Sequence, residues 1–160
     1  MVCTMATEDD SKAQWQLAGN AAEIYNEWVV PYILGPFAPG LITAAAVKDG
    51  ERVLDVACGT GVVALCVKDF VGTDGSVVGI DMNADMLAVA QSLTAPDDKH
   101  LTWVEGSAFE MDLPDDSFDV VLCQQGLQYF LDKPKAIHEM KRVLVPGGRL
   151  SLSVWETIRP

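Results

Sequence analysis

The 160-residue sequence has few basic residues, with eleven Lys and Arg against 23 Asp and Glu and a formal net charge of −12. The basic residues are scattered along the chain and form no cluster. An acidic surface of this kind repels the phosphate backbone of DNA and RNA. We therefore expect a small-molecule partner and no nucleic acid.

Cysteine is also scarce, and its four copies form no CxxC pair and no Cys/His cluster with zinc spacing. No bound metal is expected, and the cysteines are interpreted as small buried hydrophobic residues of a reduced protein. The first residues lack the basic and apolar regions of a signal peptide. No run reaches the roughly 20 apolar residues that a membrane span needs. These features predict a cytoplasmic protein without a membrane span.

The N-terminal part of the sequence has helical periodicity. The spacing of Trp15, Ala18, Ala22, Tyr25 and Val29 predicts a helix over residues 11–28 that ends at Pro31. "LGPFAPG" then predicts a loop, and a second helix is expected over residues 41–47. We assign residues 1–48 to a helical lid segment and residues 49–160 to a core, which together form a single domain.

The core alternates predicted strands with predicted helices. The strands are "RVLDVA", "SVVGID", "LTWVEG", "FDVVLCQQ" and "RLSLSVW", and they are almost continuously apolar. Such a pattern is typical of a parallel sheet that is covered by helices on both faces. The predicted fold class is therefore α/β, a Rossmann-like, doubly wound and mostly parallel sheet of about five strands with an N-terminal helical lid. In such sheets ligands bind outside the carboxyl ends of the strands.

The loop after the first strand, "ACGTG", carries glycines at this ligand-binding edge. The pattern Gly59-x-Gly61-x-x-Ala64 fits a loose dinucleotide fingerprint, although a tight turn that binds nothing has the same sequence. Asp81 ends the second strand, 22 residues after Gly59. That is the spacing at which an acidic side chain accepts hydrogen bonds from ribose hydroxyls. The sequence therefore predicts a cofactor that contains adenosine.

Asp55, inside the first strand, distinguishes two adenosine cofactors. A carboxylate in the strand that leads into the loop would repel the pyrophosphate of NAD. It would attract the sulfonium and the α-ammonium group of S-adenosylmethionine. Burial of Asp55 is tolerable only with hydrogen bonds from loop amides or water, or with such a cation. We therefore favour S-adenosylmethionine.

Four ordered motifs carry a family resemblance. "VLDVACGTG", "VVGIDMNADML", "LPDDSFDVVLCQQGLQYF" and "MKRVLVPGGRLSLSVW" resemble the class I S-adenosylmethionine-dependent methyltransferases in order and spacing, over about residues 15–155. The branch of greatest similarity methylates small molecules such as quinone and natural-product precursors. The resemblance implies methyl transfer to a small-molecule acceptor.

The resemblance also implies roles for ten residues of this sequence. Near the methionine part of the cofactor it places Asp55, Gly59 and Gly61, and on the ribose it places Asp81; Ala57, in the same loop, is a further cofactor-binding position. Four further positions are Met82 on the adenine face, Ser107 and Ala108 at the adenine edge, and Gln124, whose carbonyl would face the cofactor's amino group. Tyr25 of the lid would reach the carboxylate, but a core role remains open for both Tyr25 and Met82. The family usually has Asp where this sequence has Ser107.

No catalytic residue is assigned, because methyl transfer needs a base only when the nucleophile must lose a proton. His100 and His138 are interpreted as surface residues. "PDDSFD" is interpreted as a solvated turn. Trp15, Trp28 and Tyr129 are candidates for a pocket lid, and Trp103 and Trp155 are interpreted as core aromatics.

The family's sheet normally continues beyond the fifth strand, so the sequence is expected to be a shortened form with the fifth strand at an edge. An unpaired edge can pair with another chain, and residues 150–155 are therefore predicted to support a homodimer. Three hypotheses stay open. They are a small-molecule methyltransferase, a cofactor-binding or assembly module without turnover, and an NAD-dependent oxidoreductase.

Overall fold

The structure is a computed structural model that describes residues 20–156. A helical run opens it, composed of α1 (Ala21–Ile24), a π-helical segment (Tyr25–Leu34), a 3₁₀ turn (Gly35–Phe37) and α2 (Ala38–Ala45). The strands are β1 (Arg52–Val56), β2 (Ser76–Asp81), β3 (Leu101–Glu105), β4 (Phe118–Gln124) and β5 (Leu144–Ser153). The remaining helices are α3 (Val62–Val71), α4 (Ala84–Ser92), a 3₁₀ turn (Leu127–Tyr129) and α5 (Lys133–Arg142).

The five strands form one parallel sheet in the order β3-β2-β1-β4-β5. The chain direction across the sheet reverses between β1 and β4, so this pair is the switch point at which ligands bind in doubly wound folds. The α/β fold predicted from the sequence is confirmed. The site predicted at the glycine loop lies at this switch point, because that loop follows β1.

Two apolar clusters cover the two faces of the sheet. On one face α2 and α3 pack against Val53, Val77 and Val120. On the other face α5 packs against a cluster that includes Leu54 and Val121. Neighbouring residues of β1 therefore enter opposite clusters, as the alternation of side chains along a strand requires. A strand that is buried on both faces is what its continuous apolar sequence predicts.

The side chains of Asn83 and Asp132 cap the starts of α4 and α5. The Asn83 side chain accepts hydrogen bonds from the backbone N–H of Asp85 and of Met86, at 3.0 and 3.2 Å. Asp132 Oδ1 accepts from the backbone N–H of Lys135 at 3.0 Å. The Asn83 cap fixes the start of α4 shortly after Asp81. Asp81 and Asn83 both belong to the wall of the site described below.

The N-terminal prediction is wrong in its boundaries. The chain stays helical through Pro31, which lies inside the π-helical segment, and through "LGPFAPG", which was predicted to be a loop. Pro36 and Pro39 are each the second residue of their helical elements, in the first turn, where the missing N–H is not needed. A π-helical segment changes the hydrogen-bonding ladder locally, and this accommodates Pro31. The part of the predicted helix on residues 11–19, including Trp15, lies outside the described residues.

β5 also begins earlier than predicted. The stretch "PGG" lies inside this strand and not between helix and strand, and the register against β4 shifts between Phe118 and Val120. A bulge of this kind absorbs extra residues without breaking the strand pairing.

One helical run, Ala21–Ala45, is long and apolar enough to cross a membrane by length and composition, with a mean hydropathy of 1.4. The sequence analysis expected no such segment. The run is interrupted by Glu23 and Glu27, and its C-terminal part contributes Leu41 and Ile42 to the core. Since core helices of globular proteins pass the same test, this is weak evidence for a membrane span.

Candidate functional site

Two adjoining cavities lie at the carboxyl ends of the strands. The larger has a volume of about 390 Å³, in the range of small-molecule sites. The smaller has a volume of about 30 Å³ and shares Tyr25, Leu34, Ala57, Gly59 and Gln124 with the larger. Seven of the ten residues predicted from the sequence line one cavity or both: Tyr25, Asp55, Ala57, Gly59, Asp81, Met82 and Gln124.

The two glycines of the loop after β1 have different surroundings. Both have positive φ angles, +56° at Gly59 and +86° at Gly61. A Cβ at Gly59 would meet only the Tyr25 ring, at 4.0 Å, so this residue leaves the cavity open. A Cβ at Gly61 would overlap the indole ring of Trp103. Gly59 therefore belongs to the cavity, whereas Gly61 allows Trp103 to pack closely under the loop.

Asp81 is held in a fixed orientation at the end of β2. Its Oδ2 accepts a hydrogen bond from the backbone N–H of Gly59 at 2.8 Å, and its Oδ1 accepts from that of Asn83 at 2.9 Å. Burial raises the pKa of Asp81, and these backbone bonds oppose the rise. Each carboxylate oxygen can accept a second hydrogen bond, so Asp81 can bind hydroxyl groups of a ligand in the larger cavity.

Asp55 is buried, with 1% of its surface exposed. Its Oδ2 accepts a hydrogen bond from the backbone N–H of Ala64 at 3.1 Å, in the first turn of α3. The N-cap of α3 is Gly61, which has no side chain, so the carboxyl group of Asp55 satisfies this helix end instead. Burial raises the pKa of Asp55 to about 8, with the nearby Asp81 adding to the rise.

The smaller cavity combines Asp55 with buried polar atoms that have no partner. Within the described residues, Thr60 Oγ1 and Gln124 Oε1 are buried and accept or donate no hydrogen bond. Such orphan atoms are costly unless a ligand or water satisfies them. Gln124 Nε2 donates to the carbonyl of Leu34 at 3.0 Å and thereby connects β4 to the π-helical segment. This cavity therefore presents oxygen atoms to a small polar group.

Tyr25 lies where the two cavities meet. Burial raises the pKa of its hydroxyl to about 12, and the negative charge of Asp81 adds to the effect. The hydroxyl is therefore neutral at physiological pH. The position agrees with the sequence expectation that the lid reaches the site.

Three predicted residues lie outside both cavities. Gly61 faces Trp103, as described above. Ser107 Oγ accepts a hydrogen bond from the backbone N–H of Phe109 at 3.2 Å, and Ala108 packs against the core cluster of α5. The residue next to them, Phe109, lines the larger cavity. The adenine-edge roles of Ser107 and Ala108 stay predictions.

Aromatic and aliphatic side chains form most of the outer wall of the larger cavity. Tyr129 is among them, as predicted for a lid residue. Trp155, interpreted as a core residue, is 46% exposed and lines the cavity, where its ring meets that of Phe37 edge to face at 5.4 Å. Trp28 is 59% exposed and is not part of either lining. Wall residues that the sequence analysis missed are Val29, Ile33, Leu34, Asn83, Met86, Phe109, Gln125, Gly126, Phe130 and Leu131.

The two histidines are exposed and lie outside both cavities, as expected. Among residues 20–156 no group of three or more His, Cys, Asp or Glu side chains could hold a metal ion. Cys58 and Cys123 are buried free thiols, which fits their interpretation as small hydrophobic residues, whereas Cys66 is only partly buried.

The sheet order, the glycine loop after β1 and the acidic residue that ends β2 together define a Rossmann-like core that suits an adenosine-containing cofactor. A family model described as the ubiE/COQ5 methyltransferase family matches residues 40–160. The chain belongs to this family. The resemblance found in the sequence is thereby confirmed, and S-adenosylmethionine is the methyl donor of such methyltransferases.

Two curated relatives illustrate the similarity. The chloroplastic 2-phytyl-1,4-beta-naphthoquinone methyltransferase of Arabidopsis thaliana is 39% identical over 115 residues, which are 69% of this chain and 44% of the relative. The ubiquinone/menaquinone biosynthesis C-methyltransferase UbiE of Xanthomonas oryzae is 42% identical over 110 residues, 68% of this chain and 44% of the relative. The chain thus spans less than half the length of these two relatives.

Solved structures agree on the fold. A SAM-dependent methyltransferase from Aquifex aeolicus superposes with a TM-score of 0.74 at 23% identity, over 87% of this chain and 77% of that one. A putative methyltransferase from Bacillus halodurans gives a TM-score of 0.65 at 33% identity, over 72% of this chain and 49% of that one. The first similarity concerns the fold alone.

Proposed function

We propose that the protein binds S-adenosylmethionine in the two cavities and transfers its methyl group to an apolar small-molecule acceptor. The observation that carries the proposal is Asp81, whose carboxylate is fixed by the Gly59 amide at the edge of a cavity of about 390 Å³. Its position at the end of β2 suits the two hydroxyl groups of a ribose. Gly59 keeps the neighbouring wall free of side chains.

The smaller cavity fits the methionine end of the cofactor. An ammonium group offers three N–H donors, and the residues there supply acceptors: the Asp55 carboxyl group and the unpaired Gln124 Oε1. A positive charge next to Asp55 also offsets the cost of ionising this buried group. Ala57, Gly61, Met82, Ser107 and Ala108 keep the roles that the resemblance implies, as proposals of lower weight.

When bound, S-adenosylmethionine supplies a methyl group on a positively charged sulfur. The residues of the chain orient the two reactants and exclude water. Alignment alone can contribute roughly 7–11 kcal/mol to catalysis. Tyr25 and Tyr129 line the cavity from separate parts of the chain, together with the aromatic rings of Phe109, Phe130 and Trp155. No residue is proposed as a general base.

The apolar outer wall favours an acceptor with an aromatic ring or a long hydrocarbon chain. The named relatives act on naphthoquinones or in ubiquinone and menaquinone biosynthesis. We extend that class of acceptor to this chain as part of the proposal. The described linings of the two cavities include no Lys or Arg that could neutralise a pyrophosphate next to the buried Asp55, and this disfavours NAD.

The experiment is thermal unfolding with S-adenosylhomocysteine, S-adenosylmethionine and NADH in parallel. A ligand at 100 times its dissociation constant adds about 2.7 kcal/mol of stability, or roughly 5–10 °C in Tm for a domain of this size. We expect shifts with the first two ligands only. A shift with NADH alone would overturn the proposal. No shift with the adenosyl ligands would reject cofactor binding by this chain.

A matched pair of variants assigns the binding to Asp81. In Asp81→Asn one of the two carboxylate oxygens becomes an NH2 group, which cannot accept a hydrogen bond. One of the two backbone hydrogen bonds to this side chain is therefore lost, and ribose recognition weakens. We expect calorimetric affinity for S-adenosylhomocysteine to fall at least about tenfold, the effect of losing hydrogen bonds to a charged group. Asp85→Asn, on the exposed surface of α4, serves as control and should bind as the parent does.

Cofactor binding without turnover, with the chain as an assembly module, is the second candidate. The observation in its favour is β5, which pairs only with β4 and so leaves one edge free in the described sheet. Val154 and Trp155 beyond it are half exposed. We propose a homodimer through residues 150–155. Light scattering at increasing concentration should give twice the chain mass, and a constant monomer would reject the dimer.

The division into a lid (residues 1–48) and a core (residues 49–160), and a cytoplasmic location, remain proposals too. The lid assignment is supported by Tyr25, Val29 and Ile33, which line the larger cavity from the helical run. Limited proteolysis with and without S-adenosylhomocysteine tests it, because a lid should be protected by the ligand. Equal cleavage of that run in both samples would contradict it.

A further inference from the structure

Gln124 ends β4 and Gln125 follows it, and the side chains of these two glutamines have different surroundings. Gln124 donates from Nε2 to the carbonyl of Leu34, so its side chain has a structural partner. Gln125 contributes its backbone N–H to the carbonyl of Ser153 at 2.8 Å. Its side-chain Oε1 is buried and has no hydrogen-bond partner within the described residues. Only 8% of the surface of Gln125 is exposed.

The backbone of Gln125 has an unusual conformation. Its φ angle is +57°, in the left-handed region that residues other than glycine rarely adopt. The next residue, Gly126, packs so closely that a Cβ there would lie 2.8 Å from Ala57 Cβ and from Cys123 Sγ. The turn is therefore fixed by packing. A glycine at position 125 would relieve both the backbone strain and the unpaired amide, so the turn itself does not require a glutamine.

Gln125 belongs to the acceptor side of the site. It lines the larger cavity but not the smaller one, which Gln124 and Asp55 share. The nearby wall is mainly aromatic, with Phe109, Tyr129, Phe130 and Trp155. A hydrogen bond is stronger in such a weakly polar environment than in water, and an unpaired acceptor is correspondingly costly.

We propose that Gln125 is a specificity-determining residue whose Oε1 accepts a hydrogen bond from a hydroxyl group on an apolar, ring-containing acceptor. This inference rests on the proposed function. Oε1 is an acceptor, so it pairs with an O–H group and not with an ether or with a bare ring. The hydrogen bond fixes the rotation of the ring between the aromatic walls, and a strained backbone at residue 125 is typical of functional positions.

The test compares two ligands that differ by one hydroxyl group, 1-naphthol and naphthalene. Their affinities for the protein saturated with S-adenosylhomocysteine are measured by quenching of tryptophan fluorescence. One net hydrogen bond predicts that 1-naphthol binds about five- to tenfold more tightly than naphthalene. In Gln125→Leu, which keeps the volume and removes the amide, the ratio should fall to about one. Gln91→Leu, at an exposed position of α4, makes the same chemical change away from the site and should keep the parent ratio.

Affinity for S-adenosylhomocysteine is measured in the same variants and separates the inference from the proposed function. We expect it to stay within about twofold in Gln125→Leu. If the parent protein binds S-adenosylhomocysteine but shows no preference for 1-naphthol, the role of Gln125 is rejected and the proposed cofactor site stands. A preference that survives in Gln125→Leu rejects it too, as does a tenfold loss of S-adenosylhomocysteine affinity. Failure of the parent to bind S-adenosylhomocysteine rejects the proposed function itself.

Discussion

Asp55 should make the protein less stable as the pH rises through neutrality. Burial raises its pKa from 3.8 to about 8 in the folded chain, whereas the unfolded chain exposes the group to water. Between these two values the folded state holds a proton that the unfolded state has released. The free energy of unfolding is therefore highest below about pH 4 as far as this group is concerned, and it falls until the pH passes about 8.

The size of the effect follows from the shift. Each pH unit inside the window is worth at most about 1.4 kcal/mol, so two units, from pH 5 to pH 7, give an upper bound of about 3 kcal/mol. Water entry and local relaxation reduce this, and we expect about 1–3 kcal/mol. Asp55→Asn removes the titration and keeps an oxygen acceptor for the Ala64 amide. The stability of the variant relative to the parent should therefore increase by about 1–3 kcal/mol between pH 5 and pH 7.

Urea unfolding at pH 5, 6, 7 and 8 measures this, provided that the m values stay equal. Asp69→Asn, an exposed change on α3, is the control and should follow the parent at every pH. If Asp55→Asn and the parent keep a constant difference across the four pH values, the carboxyl group does not titrate in this window and the reasoning fails. The same variant should bind S-adenosylmethionine more weakly, because the negative charge opposite the ammonium group is lost.

Two glycines with opposite surroundings give the remaining predictions. In Gly79→Ala the new Cβ would overlap the Trp103 ring and approach Cys58 Sγ to 3.1 Å, so urea unfolding should show a loss of about 1–3 kcal/mol; an unchanged midpoint would contradict the tight contact. Combined with Trp103→Leu, the same change should cost less, which a double-mutant cycle measures. Gly40→Ala, where a Cβ meets nothing within 4 Å, should instead stabilise its helix by about 0.5–1 kcal/mol.

The core of the fold could be predicted from the sequence because each signal there is local. Asn83 and Asp132 mark helix starts through the hydrogen bonds that their own side chains make. The strands are apolar without interruption, which already indicates burial on both faces. The N-terminal boundaries could not be predicted in the same way. A proline usually ends or kinks an α-helix. The residues around Pro31 do not indicate whether the helix ends there or continues as a π-helical segment that accommodates the proline.

The inner part of the site was predictable and the outer wall was not. Asp55, Gly59 and Asp81 were identified because residue type and spacing along adjoining strands carry the chemistry. Phe109 and Trp155 come from distant loops, and only the folded chain brings them to one cavity. Aromatic residues also suit a core equally well, which is why Trp155 was misassigned. The proposed role of Gln125 could not be predicted from the sequence, because it rests on a φ angle and on an unpaired side-chain oxygen that only the folded structure shows.

Buried polar groups are concentrated at one edge of this sheet. Residues 20–156 contain five buried polar or charged side chains. Four of them, Asp55, Thr60, Gln124 and Gln125, lie at or beside the carboxyl ends of β1 and β4, and the fifth, Asn83, follows β2. Each of these groups lowers stability unless something pairs with it, and three of them retain an unpaired oxygen. The burial of apolar side chains elsewhere in the fold offsets the free-energy cost of burying these polar groups. A ligand that satisfies these atoms would therefore stabilise the folded state, which is the physical basis for expecting ligand-induced shifts in Tm.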